Sequence, residues 1–90
     1  MDGDNTRGYA LRARALGMLG RYEEAIGDWG VVIEGEPGNA MHYYSRGAAY
    51  KAIKKYENAL FDLNKALRLN PRMLDGYIAR AHCLSALDRH

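Results

Sequence analysis

The chain repeats itself at a fixed interval. The stretch RYEEAIGDWGVVIEGEP, residues 21–37, returns as KKYENALFDLNKALRLNP, residues 54–71. Setting Tyr22 on Tyr56 gives 56 − 22 = 34, and the same offset relates four further pairs: Glu23 and Glu57, Ala25 and Ala59, Asp28 and Asp62, and Pro37 and Pro71. A period of this length is typical of stacked supersecondary units, each too small to bury its apolar face without a neighbour.

The period continues on both sides of these stretches. Two columns of identical residues show it: Tyr9, Tyr43 and Tyr77, and Arg12, Arg46 and Arg80. We therefore expect a repeat domain over residues 6–90, with units at 6–39 and 40–73 and an incomplete unit at 74–90. A flexible segment, residues 1–5, is expected to precede it.

Apolar residues within each unit recur at intervals of three and four, which predicts two helices per unit. The second unit shows both stripes: Tyr43, Gly47, Tyr50 and Ile53, then Tyr56, Ala59, Leu60, Leu63, Ala66 and Leu67. Pro71 disfavours a helical conformation at Asn70 and ends the second stripe, and Asn39 is a suitable N-cap for the helix after it. Five helices are predicted, near residues 6–19, 23–34, 40–53, 57–69 and 74–87.

The pattern resembles the tetratricopeptide repeat, whose signature is W-x2-L-G-x2-Y, then A-x3-F, then P, and whose period is the same. The second unit carries Tyr43-x2-Arg46-Gly47-x2-Tyr50, Ala59-x3-Leu63 and Pro71. The resemblance covers about residues 6–90 and implies an all-α, right-handed α-solenoid of about 2.5 units. Small residues at Ala13, Gly47, Ala81, Ala25 and Ala59 would let helix backbones approach closely. The residues expected to be largely buried are Tyr9, Trp29, Tyr43, Leu63 and Tyr77.

The arginine column departs from the signature, which has leucine where this chain has Arg12, Arg46 and Arg80. The face that these residues line is therefore partly open, or their stems pack while the guanidinium groups reach water. The column marks either a binding site or a solvated feature of this repeat, and the solvated interpretation is favoured.

The resemblance implies that the first helices of successive units line a concave groove for an extended peptide or a partner helix. A non-catalytic protein-interaction module or scaffold is therefore expected. The expected partner-binding residues are Arg7, Arg14, Met41, Tyr44, Ser45, Lys51, Ile78 and His82. The wider groove surface is expected to include Ala10, Leu11, Gly17, Met18, Ala48, Ala52, Asp75, Ala79, Ser85 and Ala86.

Chaperone-binding members of the family grip the terminal carboxylate of a peptide with a clamp of lysine, asparagine and arginine side chains. The matching residues of this chain are Ala10, Arg14, Ser45, Asp75 and Ala79. Only Arg14 suits a carboxylate, and Asp75 would repel it. An intact carboxylate clamp is therefore not expected.

An RNA-associated helical repeat is the alternative function. It would use the basic residues of the first helices: Arg7, Arg12, Arg14, Arg46, Lys51 and Arg80. The net charge of +2 is small for nucleic-acid binding, so RNA is the less favoured partner. Salt distinguishes the two functions, because phosphate contacts weaken steeply as salt rises.

Catalytic, metal and cofactor sites find no support in the sequence. The histidines His42, His82 and His90 and the single cysteine Cys83 show no metal-ligand spacing. No phosphate-binding loop, dinucleotide fingerprint or G-x-S-x-G elbow occurs. No apolar run approaches the roughly 20 residues that span a bilayer. Together with the lone cysteine and a start that is unlike a signal peptide, this favours a cytoplasmic protein without a membrane partner.

The last predicted helix carries an apolar stripe, Ile78, Leu84 and Leu87, that the repeat pattern leaves without a cover. Three explanations remain open: a further helix of a longer array, a dimer of two copies, or leucines that face inward. Weak self-association through residues 77–87 is predicted, because exposed apolar surface gains about 25 cal/mol for each Å² removed from water.

Overall fold

The computed structural model describes residues 3–88, which form five helices. They are α1 (Gly3–Met18), α2 (Tyr22–Gly35), α3 (Ala40–Ala52), α4 (Tyr56–Leu69) and α5 (Leu74–Asp88). No strand occurs within residues 3–88, so the predicted all-α class is confirmed. The predicted helix boundaries are close to these, the largest difference being at α1, which begins at Gly3. Residues 1 and 2 of the predicted flexible segment lie outside the described residues.

Each helix packs against the next one along the chain, from α1 on α2 to α4 on α5. A smaller contact joins α3 and α5 across the stack. The first helices of the three units, α1, α3 and α5, therefore form one layer, and α2 and α4 form the other. The stack measures 43 × 27 × 16 Å. None of the helices described is long and apolar enough to cross a membrane.

The turns inside the two complete units are built alike. Gly20 and Lys54 occupy equivalent positions of the repeat, and both have left-handed backbones, with φ of 80° and 67°. The next amide closes the turn in each unit: Arg21 N donates to Leu16 O at 2.8 Å, and Lys55 N donates to Tyr50 O at 2.9 Å. Glycine adopts this conformation without a steric penalty, whereas lysine adopts it at a steric cost.

The turn between the units contains the predicted N-cap. The Asn39 side chain accepts a hydrogen bond from Met41 N at 3.0 Å, which satisfies an amide that has no partner inside α3. Asn70, the residue that follows α4, accepts a hydrogen bond from Arg72 N at 3.2 Å within the turn before α5. Asn39 therefore sets where the first helix of the second unit begins.

The core runs between the two layers, and four of the five residues expected there lie within it or at its edge. Trp29, Tyr43 and Leu63 are buried, while Tyr9 is half-buried against the cluster around Trp29. The prediction for Tyr77 is wrong, because its side chain is 40% exposed. No described helix covers the side of α5 on which Tyr77 lies, whereas α4 covers the equivalent side of α3.

Small residues bring paired helices together at four of the five predicted positions, whereas Ala81 of α5 is exposed, so the prediction is wrong there. A Cβ on Gly47 would lie 3.1 Å from Leu63 Cγ and 3.3 Å from the carbonyl oxygen of Ala59. Ala13, Ala25 and Ala59 are also almost fully buried where helices cross. Close approach of the backbones leaves the larger side chains to fill the space beside each crossing.

Candidate functional site

A cavity of about 500 Å³ opens between α1 and α3, and α2 forms its floor. Its walls come from three helices, so it exists only where the first unit stacks on the second. The lining residues are Ala13, Arg14, Gly17, Met18, Tyr22, Ala25, Trp29, Tyr44, Ser45, Ala48, Ala49 and Ala52.

The lining is mostly small and apolar. Six of the twelve residues are alanine or glycine, and their short side chains leave the space that the cavity occupies. Trp29 and Tyr22 provide aromatic surface at the floor, and Met18, at the rim, is 88% exposed. Among the described lining residues Arg14 is the only charged one. The cavity therefore suits an apolar group with a negative charge nearby.

Helical spacing explains why these residues meet. Arg14 and Met18 are one turn apart on α1, and Tyr44, Ala48 and Ala52 are successive turns of α3. Residues four apart on a helix lie on one face, so each helix presents a continuous wall to the other.

Three of the expected partner-binding residues, Arg14, Tyr44 and Ser45, line the cavity. The others lie outside it. Arg7, Met41, Ile78 and His82 are exposed, and Lys51 is half-buried. Lys51 also lies near the buried Cys83 of α5, where its charge opposes the rise in the pKa of that thiol that burial causes.

The floor of the cavity was missed by the sequence analysis, which assigned the groove to first helices alone. Tyr22, Ala25 and Trp29 come from α2 and provide its apolar and aromatic base. Their spacing of three and four already places them on one face of the helix. That spacing indicates a core stripe equally well, because a core stripe and a cavity floor have the same periodicity.

Tyr44 lies at the junction of the cavity with the third unit. It is half-buried and packs against two of the core clusters. Burial raises the pKa of its phenol, and the negative charge of Asp75 raises that pKa further. The hydroxyl is therefore neutral at physiological pH and able to donate a hydrogen bond.

Two residues of the arginine column form ion pairs inside their own units. Arg12 donates to both carboxylate oxygens of Asp28 at 2.7 and 2.8 Å, and Arg46 donates to both of Asp62 at 2.7 and 2.9 Å. These hydrogen bonds raise the pKa of each guanidinium above its ordinary value. Each pair joins the first helix of a unit to the second.

The favoured interpretation of this column as solvated is therefore wrong for Arg46, whose side chain is 21% exposed, whereas the Arg12 side chain is 63% exposed even though it binds Asp28. Arg46 is largely enclosed, and the aspartates that it and Arg12 hold are almost completely buried. The third member, Arg80, instead donates to Asn64 Oδ1 at 2.9 Å. Two of the six basic residues that would serve RNA binding are thus neutralised by carboxylates of the same chain.

The family model of the tetratricopeptide repeat matches residues 40–73. These are the boundaries expected for the second unit from its period. The match rests on the α3–α4 hairpin, the central and most enclosed part of the stack.

Curated relatives share this repeat region. The chain is 38% identical over 68 residues to serine/threonine-protein phosphatase 5 of Mus musculus, covering 76% of this chain and 14% of that protein. It is 34% identical over 93 residues to tetratricopeptide repeat protein 13 of Homo sapiens, covering 98% of this chain and 11% of that protein. The chain therefore spans only a small part of the length of these relatives.

Solved structures share the fold. The first repeat domain of Spaghetti (RPAP3), bound to the HSP90 peptide SRMEEVD, superposes with a TM-score of 0.91 at 26% identity, covering 98% of this chain and 70% of that chain. The TPR2AB domain of yeast Sti1, in a complex with an HSP90 peptide, gives a TM-score of 0.90 at 22% identity, covering 97% of this chain and 34% of that chain.

Proposed function

Because the chain belongs to the tetratricopeptide repeat family, we propose that it is a non-catalytic protein-interaction module. The α1, α3 and α5 layer would hold an extended peptide or a helix of a partner protein. The apolar cavity between α1 and α3 carries this proposal, since it is open to solvent and floored by Trp29. The peptide complexes of structurally similar repeat domains support it.

The cavity would take one bulky apolar side chain of the partner. Burying a leucine, methionine or phenylalanine side chain there stabilises a complex by about 1.5 to 3 kcal/mol. Arg14 at the rim would donate charge-assisted hydrogen bonds to a carboxylate next to that side chain. The hydroxyls of Tyr44 and Ser45 would fix the peptide backbone, which gives direction to an otherwise apolar contact.

We also propose that the module does not depend on a free terminal carboxylate. Ala79, at one of the positions where chaperone-binding members have a clamp residue, is only 3% exposed and cannot reach the groove. Asp75, at another, raises the pKa of Tyr44 through its negative charge and would repel a carboxylate. An internal segment with an apolar residue beside an acidic one fits better.

The surface outside the cavity would lengthen the contact along the layer. Met41 is 54% exposed and Ile78 is 50% exposed, and each offers apolar area on α3 or α5. Lys51, His82 and, at the start of α1, Arg7 would add polar contacts at the margin. The proposal places the module in the cytoplasm, where a buried, unpaired Cys83 is ordinary.

Peptide display against the folded chain tests the function. Binders would be selected from a random library of short peptides, and the affinity of the recovered peptides measured by fluorescence anisotropy. Filling the cavity with Ala48→Leu, or removing contacts with Tyr44→Ala or Arg14→Glu, should weaken binding about tenfold or more, as the loss of one buried anchor does. Melting temperatures of Ala48→Leu and Arg14→Glu should stay within a few degrees of the parent, whereas Tyr44→Ala should also lower the melting temperature, because Tyr44 packs against two core clusters.

Phe61→Ala is the matched control, because Phe61 is 70% exposed on α4, outside the groove layer. It should leave the affinity unchanged. The proposal is wrong if Ala48→Leu and the double variant Arg14→Glu/Lys51→Glu retain every selected peptide. Selection of RNA with steep salt dependence, and of no peptide, would instead favour the nucleic-acid alternative.

A further inference from the structure

The cavity between α1 and α3 lies between two charges of opposite sign. Arg14 is on its α1 wall and Tyr44 is on its α3 wall. Burial raises the pKa of the Tyr44 phenol, and the negative charge of Asp75 raises it further, so the first turn of α5 lies close to that wall. From α1 to α5 the groove layer therefore presents a positive charge, an apolar cavity and a negative charge.

Neither Arg14 nor Asp75 forms an ion pair in the part of the chain that the structure describes. Arg72 is exposed three residues before Asp75 and does not pair with it. His82 stands seven residues after Asp75, about 10 Å further along α5 at 1.5 Å per residue. Lys51 is in the last turn of α3, whereas Asp75 is in the first turn of α5. The Asp75 carboxylate is therefore exposed and able to pair with a cation of a partner.

Stabilisation of the start of α5 explains an acidic residue there, but not the face on which it lies. An aspartate in the first turn interacts favourably with the positive end of the helix dipole. Glu57 has the same role in the first turn of α4, and it belongs to the other layer of helices. Of these two carboxylates, Asp75 is the one whose charge acts on a residue of the cavity wall. Glu57 is therefore a matched control for Asp75.

We propose that the groove selects an extended segment of a partner protein in which an acidic, an apolar and a basic residue follow one another in that order. The acidic residue contacts Arg14, the apolar side chain fills the cavity, and the basic residue contacts Asp75. This inference rests on the proposed function, because it adds an order of charges to the partner of the same cavity. Charges at the edge of an interface determine the choice of partner and its orientation more than the affinity.

The width of the groove layer sets the spacing of the two charges in the partner. Neighbouring helices lie about 10 Å apart, so the two steps from α1 to α5 span roughly 20 Å. An extended chain rises about 3.3 Å per residue, which places the basic residue about six positions from the acidic one. Side chains at even separations share one face of an extended chain. An apolar residue two positions from the acidic one therefore points to the cavity on the same face.

Selection from two peptide display libraries tests the order of charges. Each library contains peptides of fifteen residues with leucine fixed at the eighth position and all other positions random except one. Glutamate is fixed two positions before the leucine in one library and two positions after it in the other, which covers both chain directions. The parent chain should enrich lysine or arginine about threefold over the unselected library, about four positions from the leucine on the side away from the glutamate.

Variants of the chain locate the contact. Asp75→Lys should reverse the preference, so that acidic residues are enriched at the same positions. Glu57→Lys makes the same change of charge in the first turn of α4 and should keep the parent preference. The affinities of one selected peptide and of its glutamine-for-lysine form, measured by fluorescence anisotropy, complete a double-mutant cycle with Asp75→Asn. Each single change should weaken binding about two- to fivefold, as the loss of an exposed ion pair does, and the second change should add nothing. Circular dichroism should show all three variants folded, because both residues are exposed.

The outcomes separate this inference from the proposed function. If neither library yields an enriched peptide, the proposed function is wrong, and this inference with it. If peptides are enriched without a basic preference, or if that preference survives Asp75→Lys, the inference alone is wrong. An equal loss of preference in Glu57→Lys would show that net charge, and not contact with Asp75, determines the selection, and would also overturn the inference.

Discussion

The two complete units contain the same arginine–aspartate pair in very different surroundings. The side chains of Arg12 and Asp28 are 63% and 10% exposed, whereas those of Arg46 and Asp62 are 21% and 1% exposed. Arg46 lies between two second helices, α4 and α2, and a Cβ on Gly30 of α2 would be 3.7 Å from its Nη1. Arg12 has no described helix on that side. Position in the stack, and not the pair itself, decides how deeply it is buried.

Burial changes what the pair contributes. An exposed ion pair stabilises a fold little, because water and salt screen it. A buried pair carries a desolvation cost that its hydrogen bonds offset, so the large free-energy change comes from breaking it. Equivalent residues of the two units should therefore respond differently to the same substitution.

Arg46→Met should have the largest effect. It leaves the Asp62 carboxylate buried without a partner, and we expect the free energy of unfolding to fall by about 3 to 5 kcal/mol. Urea denaturation followed by circular dichroism measures this. Arg12→Met is the matched control and should cost clearly less, since Asp28 lies closer to water. Equal losses would show that stacking on α2 does not bury the second pair more effectively.

Removing both charges of the second pair should reverse most of that loss. Arg46→Met/Asp62→Leu replaces the pair with apolar side chains of similar volume, which is often neutral or stabilising in a protein interior. We expect a free energy of unfolding within about 1 to 2 kcal/mol of the parent. If the double variant is as unstable as Arg46→Met, packing around Leu63 and not the unpaired charge explains the single substitution.

The helices and their close crossings could be predicted from the sequence, because both follow from the local spacing of residues within each repeat. The stripes around Gly47 and Leu63 follow from intervals of three and four, and the turn at Asn39 follows from capping chemistry. The ion pairs could not be predicted in this way. Periodicity shows which positions are equivalent between units, but not which positions touch across the two helices of one unit.

The sequence does contain a signal for the ion pairs that the sequence analysis missed. Asp28 and Asp62 repeat with the same offset as Arg12 and Arg46, so the separation of arginine from aspartate is the same in both units. Whether this separation brings the two side chains into contact depends on the turns at Gly20 and Lys54, because they set how far one helix is displaced along the other. The cavity floor was missed for a related reason, because the position of Trp29 on its face does not reveal whether solvent reaches it.

The turns allow a smaller test of the same comparison. Lys54 adopts φ of 67° where the first unit has Gly20 at 80°. Lys54→Gly should raise the free energy of unfolding by about 0.5 to 1 kcal/mol, since relief of left-handed strain exceeds the entropy lost by glycine. Lys55→Gly is the control. Its φ is −91°, so glycine gains nothing there and the variant should be less stable than the parent.

The smallest of the expected effects is the effect of salt on the coupling free energies of the two ion pairs. Double-mutant cycles with Arg12→Gln and Asp28→Asn, and with Arg46→Gln and Asp62→Asn, give the coupling free energy of each pair. At about 1 M salt the Debye length is only about 3 Å, and mobile ions reach the exposed Arg12 but not the enclosed Asp62 carboxylate. The coupling of Arg12 with Asp28 should therefore decrease between low salt and about 1 M. The coupling of Arg46 with Asp62 should change little. An equal decrease in both would mean that the second pair is as accessible to ions as the first, and its burial by α2 and α4 would not protect it.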